Sequence, residues 1–202
     1  IHYHAVIRKA LQHAVKNGLL TKNPADMVDL PKKNRFVSDY YNQAELMTLF
    51  EAADGDPLYI VILLAAYYGL RRSEVLGLRW SAIDYEKKTV TINHKVTESR
   101  IDGKFVTHAE DKLKTKSSFR TLPLIPQIEE QLLVVRDKQE INRKLFKGAY
   151  CKDYLDYVCV DEMGVLIRPN YVTEHFGWLL KKYGLKRIRF HDLRHSCASL
   201  LL

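Results

Sequence analysis

Arg71, His191 and Arg194, with a lysine from the cluster Lys112, Lys114 and Lys116, are residues that could act together on one phosphate. Arginine donates two hydrogen bonds from a planar fork and stays charged at any working pH. Arg71 and Arg194 therefore suit a clamp on nonbridging oxygens that gain negative charge in a phosphoryl-transfer transition state. His191 and Arg194 are three residues apart, so a helix would turn them to the same side, and a histidine there can exchange a proton near neutral pH. The three lysines alternate, and strand spacing would point all of them to one face. Each residue also has a reading without chemistry: a capping or buried imidazole for His191, a surface ion pair for Arg194, a solvated edge for the lysines.

The elements that must position these residues can be read from periodicity. Tyr68-Gly69 ends an apolar helix running from about Pro57, and Ser73 is placed to cap a short helix through Leu78, with Glu74 in its first turn where the helix dipole favours a carboxylate. Arg71 then lies at a helix N-terminus, where unpaired N–H groups also favour an anion. A last helix is expected to start near His191-Asp192. From Thr89 the period becomes two. Asp102-Gly103 marks a tight hairpin turn, and Phe119 to Leu124 reads as a returning strand, which together predict one small antiparallel sheet. Further helices are expected over residues 1–20, from Asn42 with a capping box to Glu45, beyond Pro126 with Ile128, Leu132 and Val135 on one face, and from about Asn170 to Tyr183. Tyr67, Tyr68, Trp80 and Trp178 are expected in the core, as is Cys197.

Composition bounds the possibilities. With 32 Lys+Arg against 24 Asp+Glu the 202-residue chain carries a formal charge of +8, which favours a polyanionic partner. Cys151, Cys159 and Cys197 show no CxxC spacing, arguing against a disulfide framework and a four-ligand zinc site. His191 and His195 have the spacing of two zinc ligands on a helix, but the glutamate of HExxH is missing and Arg194 would place a cation beside the ion, so no metal is expected. The apolar run Leu58 to Tyr68 is far shorter than the roughly 20 residues that cross a bilayer, and no membrane partner is expected.

The segment Tyr68-Gly-Leu-Arg-Arg-Ser-Glu-Val-Leu-Gly-Leu78 resembles the first arginine motif of tyrosine recombinases of the phage integrase type, and His191-Asp-Leu-Arg-His-Ser196 resembles their HxxR motif. Between them, Lys112 to Ser118 followed by the strand to Leu124 is similar to the catalytic-lysine hairpin of that family. Residues 1–31 resemble the last helix of the DNA-binding domain that precedes the catalytic domain, so the likeness spans nearly the whole chain. It implies an α+β fold: a mainly helical catalytic domain with a small antiparallel β-sheet, over 35–202, preceded over 1–34 by the last helix of an all-α DNA-binding domain and a basic, proline-punctuated linker.

The resemblance further implies strand cleavage and rejoining through a 3′-phosphotyrosyl bond, without cofactor or metal. Arg71, Lys114, His191 and Arg194 would be catalytic, Glu74 and Asp192 supporting, and Arg72, Lys112 and Lys116 in contact with DNA. Lys114 is preferred because the family sets its lysine just before a small residue, here Thr115, with Lys116 as the fallback; it would protonate the departing 5′ oxygen. The family's further His or Trp and its nucleophilic tyrosine follow the HxxR helix, and no tyrosine of this chain follows His191, so the nucleophile is expected beyond residue 202 and residues 1–202 are expected to be inactive alone. The implied partners are duplex DNA attachment sites, sister protomers in a tetramer, and an excisionase or DNA-bending protein, in a bacterial, nucleoid-associated, cytoplasmic setting. A catalytically inactive DNA-binding protein that kept the fold is the alternative. A type IB topoisomerase fits the helix-and-linker layout less well.

Overall fold

The structure is a computed structural model that describes residues 2–30, 39–110 and 119–200. Its backbone clusters into two compact units, residues 1–37 and 38–202. In the first, α1 (His2–Lys16) gives way at Gly18, whose φ of 72° needs no Cβ, to a turn that Asn23 organises. The Asn23 side chain accepts from Ala25 N at 3.0 Å and donates to Arg8 O at 3.0 Å, tying a 3-10 turn over Pro24–Met27 back onto α1.

The second unit is built round one apolar helix. In α3 (Tyr59–Tyr68) all seven residues from Ile60 to Ala66 are buried, so it is surrounded by partners instead of lying at a surface. Against it pack α2 (Gln43–Ala53), through Leu46, Leu49 and Phe50, and α5 (Pro126–Phe146), through Ile128 and Leu132. α2 opens with the expected capping box: Glu45 N donates to Asn42 Oδ1 at 2.9 Å, and Asn42 N donates to Glu45 Oε2 at 2.8 Å. The core continues into α6 (Pro169–Lys182), whose buried Val172, Phe176, Leu179 and Leu180 follow helical spacing. That stripe leaves Trp178 on the opposite side, 51% exposed and not in the core as the sequence suggested, and Tyr183 exposed at the helix end. Tyr67, Tyr68 and Trp80 are partly buried against the core.

The expected single sheet is two. Strands β1 (Ile83–Asp84), β2 (Thr89–Ile92) and β5 (Arg120–Pro123) form an antiparallel sheet in the order β1-β2-β5, with Ile92 opposite Arg120. A separate hairpin, β3 (Lys95–Ile101) and β4 (Lys104–Glu110), pairs in full register through a turn in which Asp102 and Gly103 both adopt positive φ, the signature of a type I′ connection. The chain leaves the first sheet at Asn93-His94, and the root of the hairpin presses on Gly77, where a Cβ would meet Lys95 Cα at 2.6 Å and His94 O at 2.7 Å. Among the described residues no helix is long and apolar enough to cross a membrane.

Two glycines separate these effects. Gly77→Ala must displace strand backbone and is expected to cost about 2 kcal/mol or more, in line with overpacking elsewhere. Gly177→Ala, inside α6 with nothing within 4 Å of the added methyl, is expected to stabilise by roughly 0.5–1 kcal/mol. Urea unfolding midpoints moving in opposite directions would bear out both assignments, and a neutral Gly77→Ala would contradict the close packing.

Candidate active site

Helix α3 ends at Gly69, which takes the left-handed conformation at φ 57° and ψ 34° and turns the chain out of the core. Two residues later Arg71 caps α4 (Arg72–Leu76) from an extended conformation. The cap is therefore Arg71 and not Ser73, and the helix stops before Gly77. Glu74 completes the turn. It is 2% exposed, and its carboxylate accepts from Arg71 N at 3.1 Å, Arg71 Nη1 at 2.8 Å and Arg120 Nη2 at 2.8 Å. Burial pushes the Glu74 carboxyl up, but these hydrogen bonds outweigh it and hold the group below the ordinary carboxylate value. Its share of stability is thus present above the ordinary value of 4.5 and lost as pH falls through the lower, folded one.

The HxxR segment is not the start of one helix. A 3-10 turn over Phe190–Asp192 runs into the single turn α7 (Leu193–Ser196) and then a further 3-10 turn over Cys197–Leu200. Asp192, buried to 2% exposure, folds back on the arginine three residues before it and caps the start of this segment. Asp192 Oδ2 accepts from Arg189 N at 2.9 Å and Nε at 3.0 Å, and Oδ1 accepts from Nη2 at 2.7 Å. The same Arg-x-x-acid device thus occurs at Arg71-Glu74 and at Arg189-Asp192. Leu193 is fully buried, leaving His191, Arg194 and His195 on the exposed side.

The two motifs, distant in sequence, meet at Gly69. Arg194 Nη1 donates to Gly69 O at 2.6 Å, and Cys197 Sγ, half-buried and not in the core, lies 3.2 Å from Tyr67 O. Ser196 fixes the segment from behind: its hydroxyl accepts from Tyr41 N at 2.9 Å and donates to Asp192 O at 3.2 Å. Arg71 keeps 53% of its side chain exposed. Arg72 instead turns to α6, donating from Nη1 to Thr173 Oγ1. Lys112, Lys114 and Lys116 lie outside the described residues, which resume at Phe119 beside β5. Among the described residues no group of three or more His, Cys, Asp or Glu could hold a metal ion.

Arg120 and Arg189 escaped the sequence reading. Arg189 could have been found from its spacing to Asp192, which repeats that of Arg71 to Glu74. Arg120 could not, because 46 residues separate it from Glu74 and only the strand pairing brings it there.

His191 loses proton affinity mainly through burial, then through the like charges of His195 and Arg194, so its pKa lies below 6.5. Between that lowered value and 6.5 the unfolded chain binds more protons than the folded one. Stability from this group therefore rises with pH across the window and levels off above it. His191 should titrate below 6.5 when followed by the NMR shift of its ring protons, and His195→Ala should raise the midpoint by removing one repulsive charge. A His191 midpoint at or above 6.5 would contradict this electrostatic picture.

The phage integrase family profile matches residues 40–202. A "Tyrosine recombinase XerC-like" protein of Caldanaerobacter subterraneus is 29% identical over 96% of this chain and 53% of its own length. The transposase from transposon Tn916 of Enterococcus faecalis is 26% identical over 96% of this chain and 49% of its own. The chain thus spans about half the length of the curated relatives it matches. Among solved structures, a Tn1549 transposon integrase in complex with circular intermediate DNA superposes with a TM-score of 0.78 at 21% identity, over 99% of this chain and 65% of that one. A lambda integrase tetramer bound to a Holliday junction gives 0.67 at 16%, over 98% and 52%. These structural likenesses establish the fold.

Proposed function

Because this chain belongs to the phage integrase family, we propose that it forms part of a site-specific DNA recombinase, cutting and rejoining strands by transesterification through a 3′-phosphotyrosyl intermediate. The observation that carries this reading is the hydrogen bond from Arg194 to the carbonyl of Gly69, which sets the second arginine motif beside the first across 125 residues of sequence. Arg71 and Arg194 clamp the nonbridging oxygens of the scissile phosphate. His191, neutral near pH 7 because its pKa is lowered, accepts the proton of the attacking tyrosine hydroxyl. As the new bond to phosphorus forms, the bond to the 5′ oxygen breaks, and that oxygen takes a proton from Lys114. No metal is needed, since fixed cations meet the developing charge. Glu74 and Asp192 support the arginines, Lys112 and Lys116 are assigned to DNA contact, and Arg72 would join them only by leaving its hydrogen bond to Thr173.

The nucleophile is assigned to a tyrosine outside residues 1–202. Tyr41, which touches the HxxR segment, donates its hydroxyl to Lys186 O, and burial raises its pKa to about 12. The Tyr68 hydroxyl donates to Pro123 O at 2.9 Å and is likewise raised by burial. Both are poor nucleophiles. The partners of this reading are duplex attachment sites and sister protomers in a tetramer, with an excisionase or DNA-bending protein as accessory, in a bacterial nucleoid.

Two measurements test it. With a mixed-sequence duplex, Arg71→Ala and Arg194→Ala should each weaken binding and reduce the slope of log affinity against log salt by about 1, the loss of one phosphate contact. Unchanged slopes in both variants would remove the clamp. Incubated with a nicked suicide duplex of the attachment site, residues 1–202 should bind without an SDS-stable adduct. A covalent band would place the nucleophile inside this chain.

A further inference from the structure

Arg120 was assigned no role by its residue type or spacing, yet it completes a buried charge cluster next to Arg71. The Glu74 carboxylate lies between two guanidinium groups, with Arg71 Nη1 2.8 Å from Oε1 and Arg120 Nη2 2.8 Å from Oε2. Its side chain is 3% exposed, that of Arg120 27% and that of Arg71 53%, so the cluster runs from the interior outward and ends at Arg71. Charge bookkeeping shows why two arginines are needed. A buried carboxylate held by Arg71 alone would cancel the positive charge that a phosphate is meant to meet, and removing either member of such a pair leaves the other uncompensated. With Arg120 on its second oxygen, Glu74 can stay ionised in the interior without depending on Arg71 alone, while Arg71 faces outward.

The same contact fixes geometry. Arg120 is held in register opposite Ile92 in the sheet, immediately beyond the 111–118 segment that bears the three lysines. The Arg120–Glu74–Arg71 chain therefore couples the start of β5 to the arginine at the end of α3.

We propose that Arg120 is a positioning residue for strand transfer: through Glu74 it holds the Arg71 guanidinium in place and keeps its charge available to the scissile phosphate. This rests on the reading of Arg71 as a phosphate ligand. Arg120 acts without touching DNA, so its effect passes through the Glu74 carboxylate and vanishes when that carboxylate is neutralised.

The test is a double-mutant cycle on the 202-residue chain with Arg120→Met, Glu74→Gln and both together, and Arg120→Lys as the conservative variant. Two readouts are used: affinity and salt slope for a mixed-sequence 30-base-pair duplex, and the pH titration of the Glu74 carboxyl followed by carbon NMR. Arg120→Met should raise the Glu74 titration midpoint, weaken duplex binding several-fold and reduce the salt slope by about 1, the change expected of Arg71→Ala. Arg120→Lys should restore most of the affinity. Adding Arg120→Met to Glu74→Gln should then cost nothing further, because the charge it balanced is gone. Circular dichroism confirms folding, and the double variant, which removes both charges together, remains informative should Arg120→Met alone unfold. An unshifted Glu74 titration, or losses from Arg120→Met and Glu74→Gln that simply multiply, would overturn the proposal; multiplying losses are what direct contact of Arg120 with phosphate would give. Should Arg71→Ala leave binding and slope unchanged, the phosphate role of Arg71 fails instead, and the Glu74 titration in Arg120→Met alone decides whether Arg120 governs that carboxylate.

Discussion

A backbone carbonyl at the end of the most buried helix receives the arginine of the HxxR segment, and much of the site depends on that contact. A helix leaves its last carbonyls without intrahelical partners. Here the left-handed turn at Gly69 opens the end of α3, and Arg194 supplies a charged donor at 2.6 Å. The contact satisfies a polar group at the edge of the core and orients a guanidinium in the same stroke. Glycine is called for by the backbone: at φ 57° a side chain would be strained, while the position of its Cβ, 3.5 Å from Cys197 and 3.6 Å from Arg194 Cγ, is at ordinary contact distance. Because α3 is packed on every side, the carbonyl is presented by a rigid element, which is what a preorganised site requires.

Carboxylates do the remaining placement. Glu74 and Asp192 are each 2% exposed, and each closes a tight turn on an arginine three residues earlier. Neither acid is aimed at solvent, where it would repel a polyanion. Their negative charges are spent internally on backbone N–H groups and guanidinium forks, so the outer face is left to Arg71, His191, Arg194 and His195. Burial, with the like charges of His195 and Arg194 added to it, lowers the proton affinity of His191, which suits an imidazole meant to accept a proton from the nucleophile.

The sequence disclosed the fold class and the local elements around the two motifs more completely than the contacts that join distant segments. Helix α3, the capping box at Asn42, the turn at Asp102-Gly103 and the spacing of His191 to Arg194 are local signals, and each lies where periodicity and turn chemistry put it. The misplacements came from contacts between distant segments. Periodicity cannot say that the hairpin leaves the first sheet at Asn93-His94, that the last segment runs as 3-10 turns on either side of one α-turn, or that Arg120 crosses 46 residues to reach Glu74. Trp178 misled because a large aromatic was taken for core, when the stripe from Val172 to Leu180 points the other way.

The meeting of Gly77 with the backbone at His94 and Lys95 divides the hairpin into two parts under different steric constraints. Its root admits almost no change, since any side chain at residue 77 must push a strand aside. Its far end, past Glu98, carries exposed residues joined by a two-residue turn, and lengthening such a turn costs only about 0.6 kcal/mol per doubling of loop length. A change of length at residues 100–105 would therefore alter the reach of the hairpin while leaving its packed root against Gly77 in place.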